Sequence, residues 1–219
     1  MIQHLSFPLG NNVNSYMYID PELATVQYTS FDKVSSTINE IGRGAELARM
    51  DRHSAFGLLI LHPDEFELFG FHFKNQFYFD QCLPMGCSAS YALFEKFSTF
   101  LEWVIKLKLG KRSVEHYLDD FLLAGKAGTE ECLQLMDRFR IFCEELGVPL
   151  VEDKTIGPSS ILTFLGLEIY TLEMVIRIPQ CKLSEVKEKL ESALGRTKIT
   201  LRDIQSLVGS LICCARTIP

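Results

Sequence analysis

Apolar residues recur along this chain at two spacings, and each spacing marks a different kind of element. Cys132, Leu135, Met136, Phe139, Phe142, Cys143 and Leu146 fall three and four apart, the period of one helix face, which predicts a helix over 129–146 with Gly147 as its stop. Ala92, Phe94, Phe97, Leu101, Val104 and Ile105 predict another over 88–109. Thr29-Ser30-Phe31-Asp32 opens a shorter helix through Ile41, which Gly42 and Gly44 end. Residues 183–194 and 200–215 read as two closing helices, the last with Thr200 and Asp203 in a capping-box-like spacing. Short apolar runs predict strands at 47–50, 114–117, 121–124, 161–170 and 174–178. Runs 66–73 and 76–79 flank Lys74-Asn75 as a hairpin whose turn lacks glycine. Residues 1–30 are turn-rich, with turns over 8–12 and at Asp20-Pro21-Glu22. Helices mixed with hairpins place the chain in the α+β class.

Composition narrows this only a little. At 219 residues, 47% hydrophobic and 23% charged, the chain buries a core without needing disulfides or a structural metal, and disorder is excluded. A formal charge of −6 argues against a free-standing nucleic-acid binder, though not against a local basic groove. The seven cysteines include no CxxC pair, so neither a disulfide framework nor a zinc site is expected. Cys82 and Cys87 read as core thiols, and His53, His62, His72 and His116 form no ligand spacing. No basic n-region opens the chain, and Glu95, Lys96, Glu102, Lys106 and Lys108 interrupt its longest apolar stretch. The expectation is a soluble protein of a reducing, intracellular compartment, cytoplasm or nucleus, with no membrane partner.

The sharpest chemical feature is Tyr117-Leu118-Asp119-Asp120. Two adjacent acids between two apolar runs sit at a hairpin tip, a costly arrangement unless a cation neutralises them. Mg²⁺ takes one or two protein carboxylates and completes its shell with phosphate oxygens and water. Asp51, at the end of another short strand, is a candidate second carboxylate. A bare Asp-Asp pair is more often a solvated turn, so spacing leads only to a candidate acidic metal site. By the same standard Phe56 is core, Lys154 is a surface charge on a turn, Pro84-Met85-Gly86 leads into a helix, and Leu165-Gly166 bends a strand.

These residues carry a resemblance. Tyr117-Leu118-Asp119-Asp120 resembles the YxDD motif of reverse transcriptases, and four flanking segments follow in that family's order. Met50-Asp51-Arg52-His53-Ser54-Ala55-Phe56 resembles the first catalytic motif, and Leu83-Pro84-Met85-Gly86 the LPxG motif. Leu146-Gly147-Val148-Pro149 through Lys154 resembles the segment with the palm lysine, and Phe164-Leu165-Gly166 the primer-grip hairpin. His4-Leu5-Ser6-Phe7-Pro8, the segment from Asp64 to Phe71 and the tail around Gln205-Ser206-Leu207 are similar to vertebrate retroelements of the DIRS type.

The resemblance implies a palm of antiparallel strands with helices packed on one face, over 47–180. A partial fingers segment precedes it (1–46), and the start of a thumb or connection follows (181–219). It implies an RNA-directed DNA polymerase acting on an RNA/DNA template-primer and dNTPs. Asp51 and Asp119 would hold two Mg²⁺ ions, with Mn²⁺ as a substitute, and Asp120 would stand beside them. Lys154 would protonate the leaving pyrophosphate. Ser54 and Ala55 would offer backbone N–H groups to phosphates, and Phe56 would bar a 2′-hydroxyl. Met85, Gly86 and Tyr117 would line the nucleotide pocket, and Leu165 with Gly166 would seat the primer. The parent polyprotein's ribonuclease H and recombinase lie outside this sequence. Arg52 and Gly57 depart from the pattern, which tends to carry an aliphatic residue and an arginine there. Arg52, next to Asp51, is expected to compete with a cation. The alternative from a different class is a truncated, non-catalytic remnant that binds nucleic acid or protein.

Overall fold

The computed structural model describes residues 5–16, 25–52, 55–109, 113–215 and 217. Its elements begin with α1 (Phe31–Ile41), β1 (Glu46–Arg52), β2 (Gly70–Phe73), β3 (Gln76–Phe79), α2 (Ser88–Leu109), β4 (Val114–Tyr117) and β5 (Asp120–Gly125). They continue with α3 (Glu131–Glu145), β6 (Leu150–Ser159), β7 (Ile161–Phe164), β8 (Leu167–Tyr170), β9 (Val175–Arg177), α4 (Gln180–Leu194) and α5 (Leu201–Ala215). The expected helices form where the periodicity places them. The Ser30 side chain accepts from the Lys33 N–H to cap α1. Thr200 and Asp203 exchange hydrogen bonds at the start of α5, the reciprocal pattern of a capping box.

Four strands make the main sheet in the order β4-β5-β1-β6, all antiparallel. Strand alternation sends Ala48, Met50, Phe121 and Leu123 to one face, where they pack against Leu101 and Ile105 of α2 and Leu135, Met136 and Phe139 of α3. Leu47, Leu122 and Ala124 face the other way, against Phe31, Val34 and Ile38 of α1 and Leu162, Phe164, Leu167 and Ile169 of a second sheet, β7-β8-β9. The two long helices therefore share one face, and α1 with the small sheet covers the opposite one. β1 is covered on both sides, and Asp51 and Arg52 are buried along with its apolar residues.

Three local expectations change. Residues 66–69 belong to a 3₁₀ segment (Pro63–Phe69) rather than a strand, because Pro63 and the acidic pair Asp64-Glu65 favour a helical first turn. Residues 161–170 are two strands: Leu165 at φ 49° and Gly166 at φ 75° reverse the chain, and Phe164 pairs with Leu167. Residues 152–154 lie on β6, not on a turn. The Lys74-Asn75 hairpin forms without glycine, with both residues at positive φ. Asn accepts that region readily, and Lys74 is held there by the ladder on either side. The turn expected at Asp20-Pro21-Glu22 and residues His53 and Ser54 lie outside the described residues.

None of the seven cysteines forms a disulfide. Burial pushes the Cys132 and Cys143 thiols up to about 12, so they pack as small apolar groups. No helix among the described residues is long and apolar enough to cross a membrane.

Candidate active site

On β1 the odd residues Leu47, Arg49 and Asp51 share one face, and on β5 so do Asp120, Leu122 and Ala124. The β1–β5 ladder pairs Asp51 with Asp120, so two carboxylates stand side by side where the ladder ends. Asp119 occupies the turn just beyond, after Leu118 at φ 54°. Tyr117 pairs with Asp120 across that turn, and its ring lies 5.2 Å from Tyr28. Like charges directly opposite on a ladder repel, so this corner is costly without cations.

Two cations of the chain itself answer that cost. Lys154 of β6 donates to Asp51 Oδ2 at 2.7 Å. That hydrogen bond and the charge of Asp51, helped by Asp119 and Asp120, hold the ammonium above its ordinary pKa. Arg49 Nε stands 3.9 Å from Asp120 Oδ1, and its Nη1 donates to the Thr163 carbonyl at 3.4 Å, tying the site to the β7–β8 hairpin. Burial raises the Asp120 pKa; Arg49 and Lys154 pull it down, while Asp51 and Asp119 add to the rise. Asp51 is 6% exposed, and its Oδ1 is buried without a hydrogen-bond partner. A buried anionic oxygen left so has room in its bonding for a further donor or a cation.

That donor set fits a divalent ion of the Mg²⁺ type. Among the described residues no three acidic, histidine or cysteine side chains converge as a complete metal cage. Such carboxylates would supply only part of a coordination shell, as in Mg²⁺ sites that share their ion with phosphate.

The other expected residues surround this corner at different depths. Ala55 opens a 3₁₀ turn (Ala55–Leu58), and Phe56 within it is 8% exposed. Its ring centroid lies 5.0 Å from Phe94 and 5.2 Å, edge-on, from Tyr91. Leu83 completes this cluster, and Leu118 packs against it, so Phe56 supports the acidic turn. Met85 is exposed and Gly86 takes φ 108°. Asn14 clamps that loop: its Nδ2 donates to the Gly86 carbonyl at 2.8 Å, and its Oδ1 accepts from Ser88 N at 2.9 Å. Leu165 and Gly166 form the tip of the β7–β8 hairpin, where Lys182 Nζ lies 2.8 Å from the place a Cβ on Gly166 would take. Neither Asn14 nor Arg49 was marked in the sequence. Arg49 had a signal, because period two from Asp51 puts it on the acid's face; Asn14, distant in the chain, had none.

A family model for reverse transcriptase (RNA-dependent DNA polymerase) matches residues 11–169. The chain belongs to the reverse transcriptase family. It is 27% identical over 169 residues to the Gag-Pro-Pol polyprotein of Mason-Pfizer monkey virus, covering 74% of this chain and 9% of the polyprotein. Its fold is similar to that of the foamy viral protease-reverse transcriptase in complex with double-stranded DNA, at a TM-score of 0.69 and 19% identity, covering 91% of this chain and 31% of that one. The same foamy viral protein in complex with an RNA/DNA hybrid gives 0.67 and 19%, covering 92% and 24%. This reverse transcriptase chain thus spans less than a third of those proteins and under a tenth of the polyprotein.

One further feature of the reverse transcriptase chain differs from what its sequence suggested. Arg52 does not face the carboxylates. It follows Asp51 on the strand, so its side chain enters the opposite face, among Phe94, Phe97 and Phe121. His116, next to Tyr117, is a buried ion-pair member: Nε2 lies 3.1 Å from Glu95 Oε1, and Nδ1 bonds Glu102. Burial lowers the His116 pKa, but the hydrogen bonds and charges of Glu102 and Glu95 outweigh it and leave the pKa raised. Burial raises Glu102, yet hydrogen bonds from His116 and Lys106 bring it down to about 2.

The sign follows from linkage. A histidine raised in the folded state contributes stability below its unfolded pKa of about 6.5 and loses it as pH climbs through the folded value. Urea midpoints of the wild type should therefore fall as pH rises above about 6.5, and His116→Gln should flatten that slope. Parallel slopes for the two proteins would show that His116 is not the group responsible.

Proposed function

We propose that this chain is the palm, with parts of fingers (1–46) and thumb (181–219) around residues 47–180, of a DIRS-type retroelement reverse transcriptase. It extends a primer on an RNA/DNA template-primer with dNTPs. The observation that carries this reading is the pairing of Asp51 with Asp120, beside a buried Asp51 oxygen that lacks a partner. Two divalent ions, Mg²⁺ or Mn²⁺, would there supply Lewis-acid activation of the primer 3′-hydroxyl and charge for the triphosphate.

The chain's own residues do the rest. Asp51 and Asp119 would hold the ions, and Asp120 would add to the field beside them. Lys154, with its pKa held up by Asp51, carries a proton on Nζ at neutral pH and is placed as the acid for departing pyrophosphate. Ser54 and Ala55 carry the family's role of offering backbone N–H groups to phosphate oxygens. Met85, Gly86 and Tyr117 border the nucleotide, and Leu165 with Gly166 seats the primer end. Duplex-bound foamy viral relatives of the same fold support nucleic acid as the partner. Ribonuclease H and recombinase belong to other parts of the parent polyprotein, and the setting is intracellular.

The test is Mg²⁺-dependent extension of oligo(dT) on poly(rA), with Asp119→Asn beside the wild type. Extension lost in the variant supports the polymerase. The net charge of −6 favours a second reading, a remnant that does not catalyse. Folded protein that gives no extension, even when supplied with the missing flanking regions, selects that reading. Given activity, Phe56→Val should raise incorporation of ribonucleotides relative to deoxynucleotides by about tenfold or more, the scale of a steric rejection released. An unchanged ratio would assign Phe56 to the Phe94 cluster alone.

A further inference from the structure

Arg52 brings a positive charge into the interior immediately after the acidic ligand Asp51. The residue is 2% exposed. Its guanidinium carbon lies 4.5 Å from the Phe94 ring centroid, 5.1 Å from Phe121 and 5.7 Å from Phe97. Nη2 donates to two acceptors, the Leu118 carbonyl and the Ser98 hydroxyl, each at 2.6 Å. The Ser98 hydroxyl itself donates to the Phe94 carbonyl at 3.0 Å within α2. Nε and Nη1 are buried without hydrogen-bond partners. For packing alone an aliphatic side chain would serve this place better, since a desolvated charge is repaid only through its specific bonds.

One of those bonds reaches the peptide that sets the acidic turn, and the other anchors the guanidinium to α2. Leu118 sits at φ 54°, a region that L-residues avoid, and the orientation of its carbonyl fixes the direction in which the chain enters Asp119. We propose that Arg52 is a positioning residue, which ties the Leu118 carbonyl to Ser98 of α2 and so holds Asp119 in place relative to Asp51. One stretch of β1 then does two things: Asp51 faces the site, and Arg52, one residue on, braces the turn from behind. The metal-binding consequence deepens the proposed function and rests on it; the bracing of the turn does not.

The experiment compares the 219-residue wild-type chain with Arg52→Met and Arg52→Lys by amide hydrogen exchange, thermal melting and Mn²⁺ titration followed by electron paramagnetic resonance. Arg52→Met should melt below the wild-type temperature, because it keeps the length but leaves the Leu118 carbonyl without its charged donor. Its amides at 118–121 should exchange about tenfold faster, the scale of one lost charge-assisted hydrogen bond, while those at 122–124 stay as they were. Mn²⁺ affinity should fall by a similar factor. Arg52→Lys, which keeps the charge and reaches one acceptor, should lie between the two; its exchange decides the matter if the methionine variant does not fold. Unchanged exchange at 118–121, or acceleration spread across the whole sheet, overturns the proposal. So does tighter Mn²⁺ binding in Arg52→Met, which is what a purely electrostatic neighbour predicts. If wild type and Asp119→Asn bind Mn²⁺ alike, the metal site fails, and the exchange data still decide the role of Arg52.

Discussion

Asp51→Asn should reduce Mg²⁺-dependent primer extension by about a thousandfold or more, on the scale of the several kcal/mol that metal-held charge contributes to such a transition state. Among the described residues, nothing else in the corner brings the same group. Asp120 stands opposite on the ladder, and Asp119 is carried by the turn, so only Asp51 brings a buried, unpartnered carboxylate oxygen from the central strand. An amide keeps the shape and gives up the charge. The fold should survive, because the lost partner, Lys154, is exposed and such pairs hold little stability. Relief of repulsion from Asp120 works in the same direction. Initial extension rates and melting curves on the same preparation check both halves. A variant that keeps a tenth of the rate would remove Asp51 from the chemistry, and one that fails to melt cooperatively would make it structural.

Gly157→Ala should produce a large loss of stability. Gly157 lies within β6 at φ 112°, where a side chain is strained whatever room it has. It has no room: a Cβ there would sit 2.5 Å from the Leu47 carbonyl oxygen and 2.7 Å from the Ala48 Cα. Both atoms belong to the backbone of β1, so the clash is relieved only by moving β6 off the central strand. Strain and overpacking together should cost about 3 kcal/mol or more. For a chain of this size that lowers the melting temperature by about 10 °C. Denaturant midpoints provide the check, and a loss below about 1 kcal/mol, within the range of ordinary surface changes, would mean that β1 yields. Since β6 also delivers Lys154 to Asp51, extension should fall with stability.

The parts of the site that were legible from the residues were those with local signals. Asp51 at the end of an apolar run and Asp119-Asp120 between two others announce acids at strand ends, and the structure puts them at one sheet corner. The helices over 31–41, 88–109 and 131–145 were legible because one face of each is buried and the other wet. β6 was not: all ten of its residues are at least partly exposed, so no apolar period marks them, and Glu152-Asp153-Lys154 looks like a turn. Arg52 was misjudged for a related reason. Adjacency in sequence suggests proximity to the cation, whereas strand geometry puts neighbours on opposite faces.

The helices, most of the strands and the acids at their ends are therefore written in the chain, because each depends on residues within one turn or one strand. Which acid meets which, and what braces them, is not. The pairs Asp51 with Asp120, Asp51 with Lys154, Arg52 with the Leu118 carbonyl and Asn14 with Gly86 join segments far apart in sequence. They exist because the strands assemble in the order β4-β5-β1-β6 with one register. Sheet order and register are chosen by the burial of both faces of β1 at once, a condition on the whole fold that no local period can express.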